Sequence, residues 1–330
     1  MALHEAVFAW VLERLAEHGL IRGERIGIDA STMEANAALR AIVRRDDGES
    51  YRAMLDRLAK ESGIATPTAE DSVRLDRKRK GKRLSNAEWI SPTDPEARIA
   101  KLKDGRTRLA YKPEHAVDLD TGAIVAAKVH AADEGDTATL PDTLEAAAAN
   151  LATVAAAPTA EDPSELIADK GYHSRDGLKD LEDGPWKSRI AEKKGTGVSR
   201  WRGDAEARRA VYNNRARLRS GVAKEAFRLR AELVERSFAL ILDRGGMRRA
   251  WLRGRQNLHK RYLVHVAGYN LGLIMRLLVG AGTPREFLAG ASAHLLLLAT
   301  ADGTVFVILF TATDSETAML AVCFKPEPRG

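Results

Sequence analysis

Residues 166–174 read Leu-Ile-Ala-Asp-Lys-Gly-Tyr-His-Ser. Three apolar residues run into an aspartate, and a glycine stands two positions further on. A short apolar run closed by a turn residue is the pattern of a buried strand. Residues 25–29, Arg-Ile-Gly-Ile-Asp, repeat that pattern. Side chains alternate along a strand, so Ile26 and Ile28 share one face while Gly27 and Asp29 share the other. In α/β sheets, functional groups gather at the carboxyl ends of strands. Asp29 and Asp169 are therefore expected to converge at one such edge. No basic residue on their own strand faces is placed to neutralise them, and a buried carboxylate pair without counter-charge is costly. Oxygen-only ligands favour Mg2+ or Mn2+. The alternative is that each aspartate merely caps the turn after it.

Working outward, residues 1–20 predict an amphipathic helix with Val7, Val11, Leu12 and Leu15 at helical spacing and Gly19 as its stop. Helical signal returns over Met33–Arg44. Residues 45–108 are polar and broken, with the basic run 74–83, the turn-rich Ser91-Pro-Thr-Asp-Pro95 and one helix over Tyr51–Ser62. The rest of that stretch is expected to be a loop-rich or partly disordered insertion. Thr107–Asp118 and Ala123–Val129 predict a hairpin turning at Asp120-Thr-Gly122. A helix over Thr137–Ala157 follows, then the strand ending in Asp169, a helix over Ser174–Leu181 and a short strand at Ser188–Ala191. Helices are expected over 204–217, 223–244 and 256–279. This order is an α/β fold with a mixed sheet flanked by helices and a polar insertion after the first strand. After Gly280 the chain changes character, and Leu295–Ala301 with Val305–Phe310 predicts an isolated apolar hairpin.

The 330 residues carry a net charge of +6, a hydrophobic fraction of 45% and a single cysteine, Cys323. One cysteine excludes an internal disulfide and a Cys-rich zinc site and suits a reducing cytoplasm. The start, Met-Ala-Leu-His-Glu, is not that of a signal peptide. The longest apolar stretch, Leu263–Gly280, contains His265, Asn270 and Arg276 and predicts a buried helix rather than a membrane span. Residues 187–261 hold 22 Lys/Arg against 7 Asp/Glu, a net of +15 that leaves −9 for the remainder. A basic half joined to an acidic half points to a polyanion, nucleic acid above all, though solvated helix faces give the same count.

The helix over 223–244 offers Glu225, Glu232 and Glu235. Arg228, Glu232 and Arg236 stand four apart in one column, so Glu232 is expected to be an ion-pair partner for both arginines. Glu235 has Ala231 and Ala239 at its four-residue neighbours and lies beside the apolar stripe Val234, Phe238 and Ile241. It is the preferred third carboxylate.

Several strings then resemble a known family: Gly-Ile-Asp-Ala-Ser-Thr (27–32), His-Ala-Val-Asp-Leu-Asp-Thr-Gly-Ala-Ile-Val (115–125), Ala-Asp-Glu-Gly-Asp-Thr-Ala-Thr-Leu (132–140) and residues 167–174. The most specific block is Glu232–Gly272, with Glu-Arg-Ser-Phe on a helix ahead of an Arg-rich run. Together they resemble bacterial insertion-sequence transposases with a DDE domain, over about Ile26–Gly280. The resemblance implies an RNase H-like fold with Asp29, Asp169 and Glu235 as catalytic triad and metal ligands. It implies Mg2+ or Mn2+, double-stranded DNA as transposon ends and target, and a homodimer on DNA, in the cytoplasm and associated with the nucleoid. Lys170, Tyr172, Arg236, Arg248, Arg249, Arg253, Arg255, Lys260 and Arg261 are the candidate DNA contacts, since arginine can hold phosphate bidentately. Trp201 and Trp251 are candidates for stacking on an unpaired base, core burial being the commoner fate. Asp133 and Asp136 are candidates to support the metal site, loop capping being the alternative. His130 and His173 are expected to be structural.

Family members carry a helical region before the first catalytic strand. Here about 25 residues precede Ile26, so the chain is expected to be truncated, with 1–24 a remnant of a DNA-binding region, 25–280 catalytic and 281–330 an atypical tail. Two other functions stay open: an RNase H-like nuclease that cuts without joining, and a decayed or repurposed DNA-binding protein without catalysis.

Overall fold

The computed structural model describes residues 1–79, 84–102, 105–193, 201 and 203–286, and the backbone of three strands within 294–324. Residues 80–83 of the basic run, and the turn expected at 300–304, lie outside the described residues. The chain divides into two units, Met1–Asn270 and Leu271–Gly330.

The first unit begins with α1 (Ala2–Glu17), β1 (Arg25–Ala30), β2 (Met33–Glu34), β3 (Val43–Arg44), α2 (Tyr51–Glu61), α3 (Ala69–Lys78), β4 (Trp89–Ile90) and β5 (Arg98–Lys101). It continues with β6 (Thr107–Asp118), β7 (Ile124–Ala131), α4 (Asp136–Ala152), β8 (Ser164–Ala168), α5 (Arg175–Leu181) and β9 (Trp186–Ile190). The last elements are α6 (Ala205–Leu218), α7 (Gly221–Phe238), which runs on as a π-helical turn over Ala239–Arg244, and α8 (Arg255–Val279).

The sheet is mixed and its centre is the first strand. β1 pairs antiparallel with β6 and parallel with β8, β8 pairs parallel with β9, and β7 pairs antiparallel with the other edge of β6. Reading across, the order is β7-β6-β1-β8-β9, with β2 and β5 added to the amino-terminal half of β6. Helices flank it, as the RNase H-like expectation requires. On one side, Ile26, Ile28, Ala116, Val125, Leu144, Leu166, Trp186 and Val211 form a continuous buried core. The hairpin turn falls where its residues predict it, with Gly122 at a φ of +82° that a side chain would disfavour.

Three expectations fail. Met33–Arg44 is not a helix: Met33 and Glu34 pair with Tyr111 and Ala110 of β6, and Val43 and Arg44 pair with Ile90 and Trp89. A free strand edge with its backbone groups unpaired outweighs the weak helical propensity of this segment. The insertion is built of secondary structure rather than loop, and α3 carries a Thr68–Asp71 capping box that the sequence reading missed. In α1 it is Phe8, with Val11, Leu12 and Leu15, that turns inward, while Val7 is exposed.

α8 is long and apolar enough to pass as a membrane span by length and composition. Its polar groups show it to be a core helix through the first unit: Asn270 donates to Ile124 O and accepts from Ile124 N, and the Tyr262 hydroxyl meets His115. Further along, Leu277, Leu278 and Val279 are exposed. The second unit contains a three-stranded antiparallel sheet, β10 (His294–Ala299), β11 (Val305–Thr313) and β12 (Glu316–Phe324), one strand more than the hairpin expected.

His115 of β6 is fully buried, 2.8 Å from Ser237 Oγ through Nδ1, 2.7 Å from Tyr262 Oη through Nε2, and stacked on Phe238 at 4.0 Å. It joins α7 and α8 to the sheet, and burial pushes its pKa down to about 3. The unfolded chain takes up this proton near pH 6.5 and the folded chain does not. Stability is therefore complete above pH 6.5 and falls as pH drops toward 3. Urea unfolding at pH 7.5 and pH 5 should show a loss of about 2 kcal/mol from this group. His115→Gln should flatten that slope; an unchanged slope refutes the assignment.

Candidate active site

Ile28 and Ala168 are register partners in the parallel β1–β8 pair, so Asp29 and Asp169 are the next residues on neighbouring strands, about 5 Å apart by strand spacing. Each uses one oxygen as a cap: Asp29 Oδ1 accepts from Ala30 N at 2.8 Å, and Asp169 Oδ1 from Gly171 N at 2.7 Å. The capping alternative is thus real for those oxygens. Among the described residues, Asp169 Oδ2 takes no hydrogen bond or ion pair.

Asp29 is not without a counter-charge, which corrects the reading from its own strand. Arg230 of α7 places Nη2 3.0 Å from Asp29 Oδ2, and its Nε donates to Ile28 O at 3.0 Å. The guanidinium is 12% exposed, and Nη2 forms no directed hydrogen bond, so the contact with Asp29 is one of charge. Gly27 makes room for it: a Cβ there would lie 3.2 Å from Arg230 Cγ and 2.6 Å from Leu119 Cδ2. The partner comes from a helix some 200 residues away in sequence, beyond the reach of strand periodicity.

Behind Asp169 lies a polar network the sequence reading did not anticipate. Glu114 of β6, 0% exposed, accepts from Tyr172 Oη at 2.7 Å and Thr139 Oγ1 at 2.9 Å through Oε1, and from Thr143 through Oε2. Burial alone would raise its pKa. Hydrogen bonding by His130, Thr143 and Tyr172, with the Lys112 charge, outweighs burial and holds the carboxyl below its usual range. Lys112 Nζ bridges to Asp136 Oδ1 at 2.7 Å. At Gly171 a Cβ would collide with the Asp136 carboxylate and stand 2.9 Å from Asp169 Oδ1, so the two acids close on the same point. Asp136 thus borders the site and pairs with Lys112, whereas Asp133 turns away to Arg98 at 3.7 Å. The signal was present in β6: Lys112 and Glu114 are two apart, on one face of a strand whose neighbours are apolar.

Tyr172 is 1% exposed, and its phenol is held by Glu114. Burial and the adjacent carboxylate raise its pKa well above normal. It cannot meet a DNA backbone from there, which corrects its assignment as a DNA contact. Lys170 beside it is exposed. Neither His130 nor His173 heads a metal-binding group: His130 meets Thr143 Oγ1 at 3.2 Å, and burial lowers the pKa of His173.

α7 crosses the sheet over β1. Arg230 touches Ile28 and Asp29, and Ser237 and Phe238 touch His115, the register partner of Asp29. Glu235 lies between them, about 7.5 Å along the axis from Arg230. It is exposed and has no hydrogen bond or ion pair among the described residues. Glu232, by contrast, pairs with Arg228 at 3.1 Å and Arg236 at 2.6 Å, the column read from sequence.

The arginines after α7 border the same edge. Glu34 N donates to Arg248 O and Ala250 N to Glu34 O, so residues 248–250 lie along β2. Arg248 pairs with Asp243 and reaches Ser31 Oγ at 3.5 Å, two residues past Asp29. Arg249, Arg253 and Arg255 are exposed, while Lys260 and Arg261 are half-buried.

Among the described residues, no three acidic or histidine side chains are already gathered closely enough to hold a metal ion. The donor chemistry still suits one: two carboxylates on adjacent strand ends, a cationic guanidinium lodged against one of them, and a third carboxylate on the helix that crosses them. The fold and this edge define an α/β domain with acidic strand ends bordered by arginine. Residues 68–271 match the family described as the transposase DDE domain, and the chain belongs to that family. The match contains Asp169 and Glu235; Asp29 precedes it and is tied to it by pairing with β6 and β8. No curated protein and no solved structure matches the chain.

Tyr172→Phe removes a donor from a buried carboxylate and should cost about 1–3 kcal/mol. Thermal unfolding checks it, and no loss of stability removes Glu114 as the anchor of this loop.

Proposed function

We propose that this transposase-family protein cuts and joins DNA strands for an insertion sequence, with Asp29, Asp169 and Glu235 holding Mg2+ or Mn2+. The observation that carries the reading is the juxtaposition of Asp29 and Asp169 on parallel neighbours under the helix that bears Glu235. Bound divalent ions would activate the attacking oxygen and stabilise the leaving 3′ oxygen. The chain supplies the rest. Lys170, Arg248, Arg249, Arg253 and Arg255 provide charge around the edge for a phosphate backbone. Arg236, Lys260 and Arg261 extend that charge along α7 and α8, Arg236 after leaving Glu232. Water attack on a phosphodiester breaks the bond to the 3′ oxygen, and the freed 3′-hydroxyl then attacks target DNA in the same pocket. Acting on two ends suits a homodimer, and the activity belongs in the cytoplasm. In this reading residues 25–280 are the catalytic domain, with α1 left from an end-binding region.

Purified chain with supercoiled plasmid and Mg2+ should give nicked product, and Asp169→Asn should reduce it to background. Cleavage that survives this substitution removes the mechanism. Strand transfer of a pre-cut end then separates a transposase from a nuclease that only cuts.

A second reading is a DNA-binding protein without catalysis, favoured by Arg230 on Asp29 and by the unassembled acids. Arg230 competes with any cation for Asp29. Arg230→Met should raise Mn2+ affinity severalfold by paramagnetic resonance, and adding Asp29→Asn should abolish the gain. Absence of Mn2+ binding in both the wild type and Arg230→Met would support the second reading.

A further inference from the structure

The two tryptophans set among arginines meet opposite fates. Trp201 is half-buried against the core, with the Arg175 guanidinium 4.4 Å from its ring centroid, so its face is taken. Trp251 is 69% exposed, and Leu252 beside it is exposed as well. A large aromatic side chain contributes most when it is buried, so an indole held out in water needs a reason.

Its backbone is held on both sides. Ala250 N donates to Glu34 O at 2.7 Å, and Asn36 Nδ2 donates to Trp251 O at 2.8 Å. Beyond it, Gly254 N donates to Asp94 Oδ1 at 3.2 Å and Arg255 N to Glu96 Oε2 at 2.9 Å. The segment is pinned to β2 at one end and to the 94–96 turn at the other. Arg249 and Arg253, both exposed, flank the indole, and Arg248 ties the same segment to Ser31 near Asp29.

Charge selects the occupant. An apolar surface ringed by arginine fits a polyanion that also carries flat apolar groups, which is a nucleic acid strand. Within a duplex each base face is covered by its neighbours, so a fixed indole has nothing to stack on. An unpaired base offers a free face. We propose that Trp251 is a stacking platform for an unpaired nucleobase of the DNA strand at the acidic edge. The inference rests on the DNA reading above and adds the structural state of the DNA that this edge accepts.

The test uses the full chain in EDTA, so that no strand is cut. Two DNAs of one sequence are compared: a blunt duplex, and the same duplex with a three-nucleotide single-stranded 3′ extension carrying 2-aminopurine. Wild-type protein should bind the extended DNA more tightly and quench the 2-aminopurine. Trp251→Ala should lose about tenfold in affinity for the extended DNA, together with the quenching, and change little on the blunt duplex. Trp251→Phe should keep most of both. An extension preference that survives Trp251→Ala overturns the proposal, as does an equal loss on the two DNAs. Wild-type protein that binds neither DNA defeats the DNA reading itself, a different failure from binding both with Trp251→Ala unchanged.

Discussion

β6 carries Lys112, Glu114, His115 and Asp118 through the middle of the sheet, and the desolvation of those groups governs what packs around them. A buried charge or ring nitrogen must find a partner or cost several kcal/mol. Each does so with a different element. Glu114 takes hydroxyls from α4 and from the turn after β8, and His115 takes them from α7 and α8. Asp118 Oδ2 takes the amides of Arg22 and Gly23, just ahead of β1. The strand thus fixes, by polar contacts rather than by apolar fit alone, the elements that carry Asp29, Asp169 and Glu235.

The acids at the edge follow the same rule at lower burial. Asp29 meets Arg230 and Asp136 meets Lys112, so neither acid at the crowded point is left to the other's repulsion. Asp169 is the exception, with one oxygen on a backbone amide and the other turned to no described partner. An edge arranged this way is stable without a metal ion, and cations enter it by exchange with side chains already there.

Much of this was legible in the letters. Short apolar runs ending in aspartate located both central strands, and the column Arg228-Glu232-Arg236 singled out Glu235 by elimination, because local periodicity reports local geometry. What depended on distant partners was not legible. Nothing near Asp29 in sequence announces Arg230, and nothing in Met33–Arg44 announces that β6 offers it an edge. Tyr172 looked available because its neighbours are polar, yet its hydroxyl is spoken for by Glu114, 58 residues earlier. Trp251 was undecided from composition, since exposure is a property of the assembled fold.

The π-helical turn over Ala239–Arg244 directly follows the helix that carries Glu235. A π turn is the form a helix takes when it absorbs an added residue without unwinding. Placed between the acid and the arginines, it lets related chains gain or lose a residue here while Glu235 keeps its bearing. Such a joint allows the DNA-facing loop to diversify in length and angle over evolution without reopening the geometry of the edge that does the chemistry.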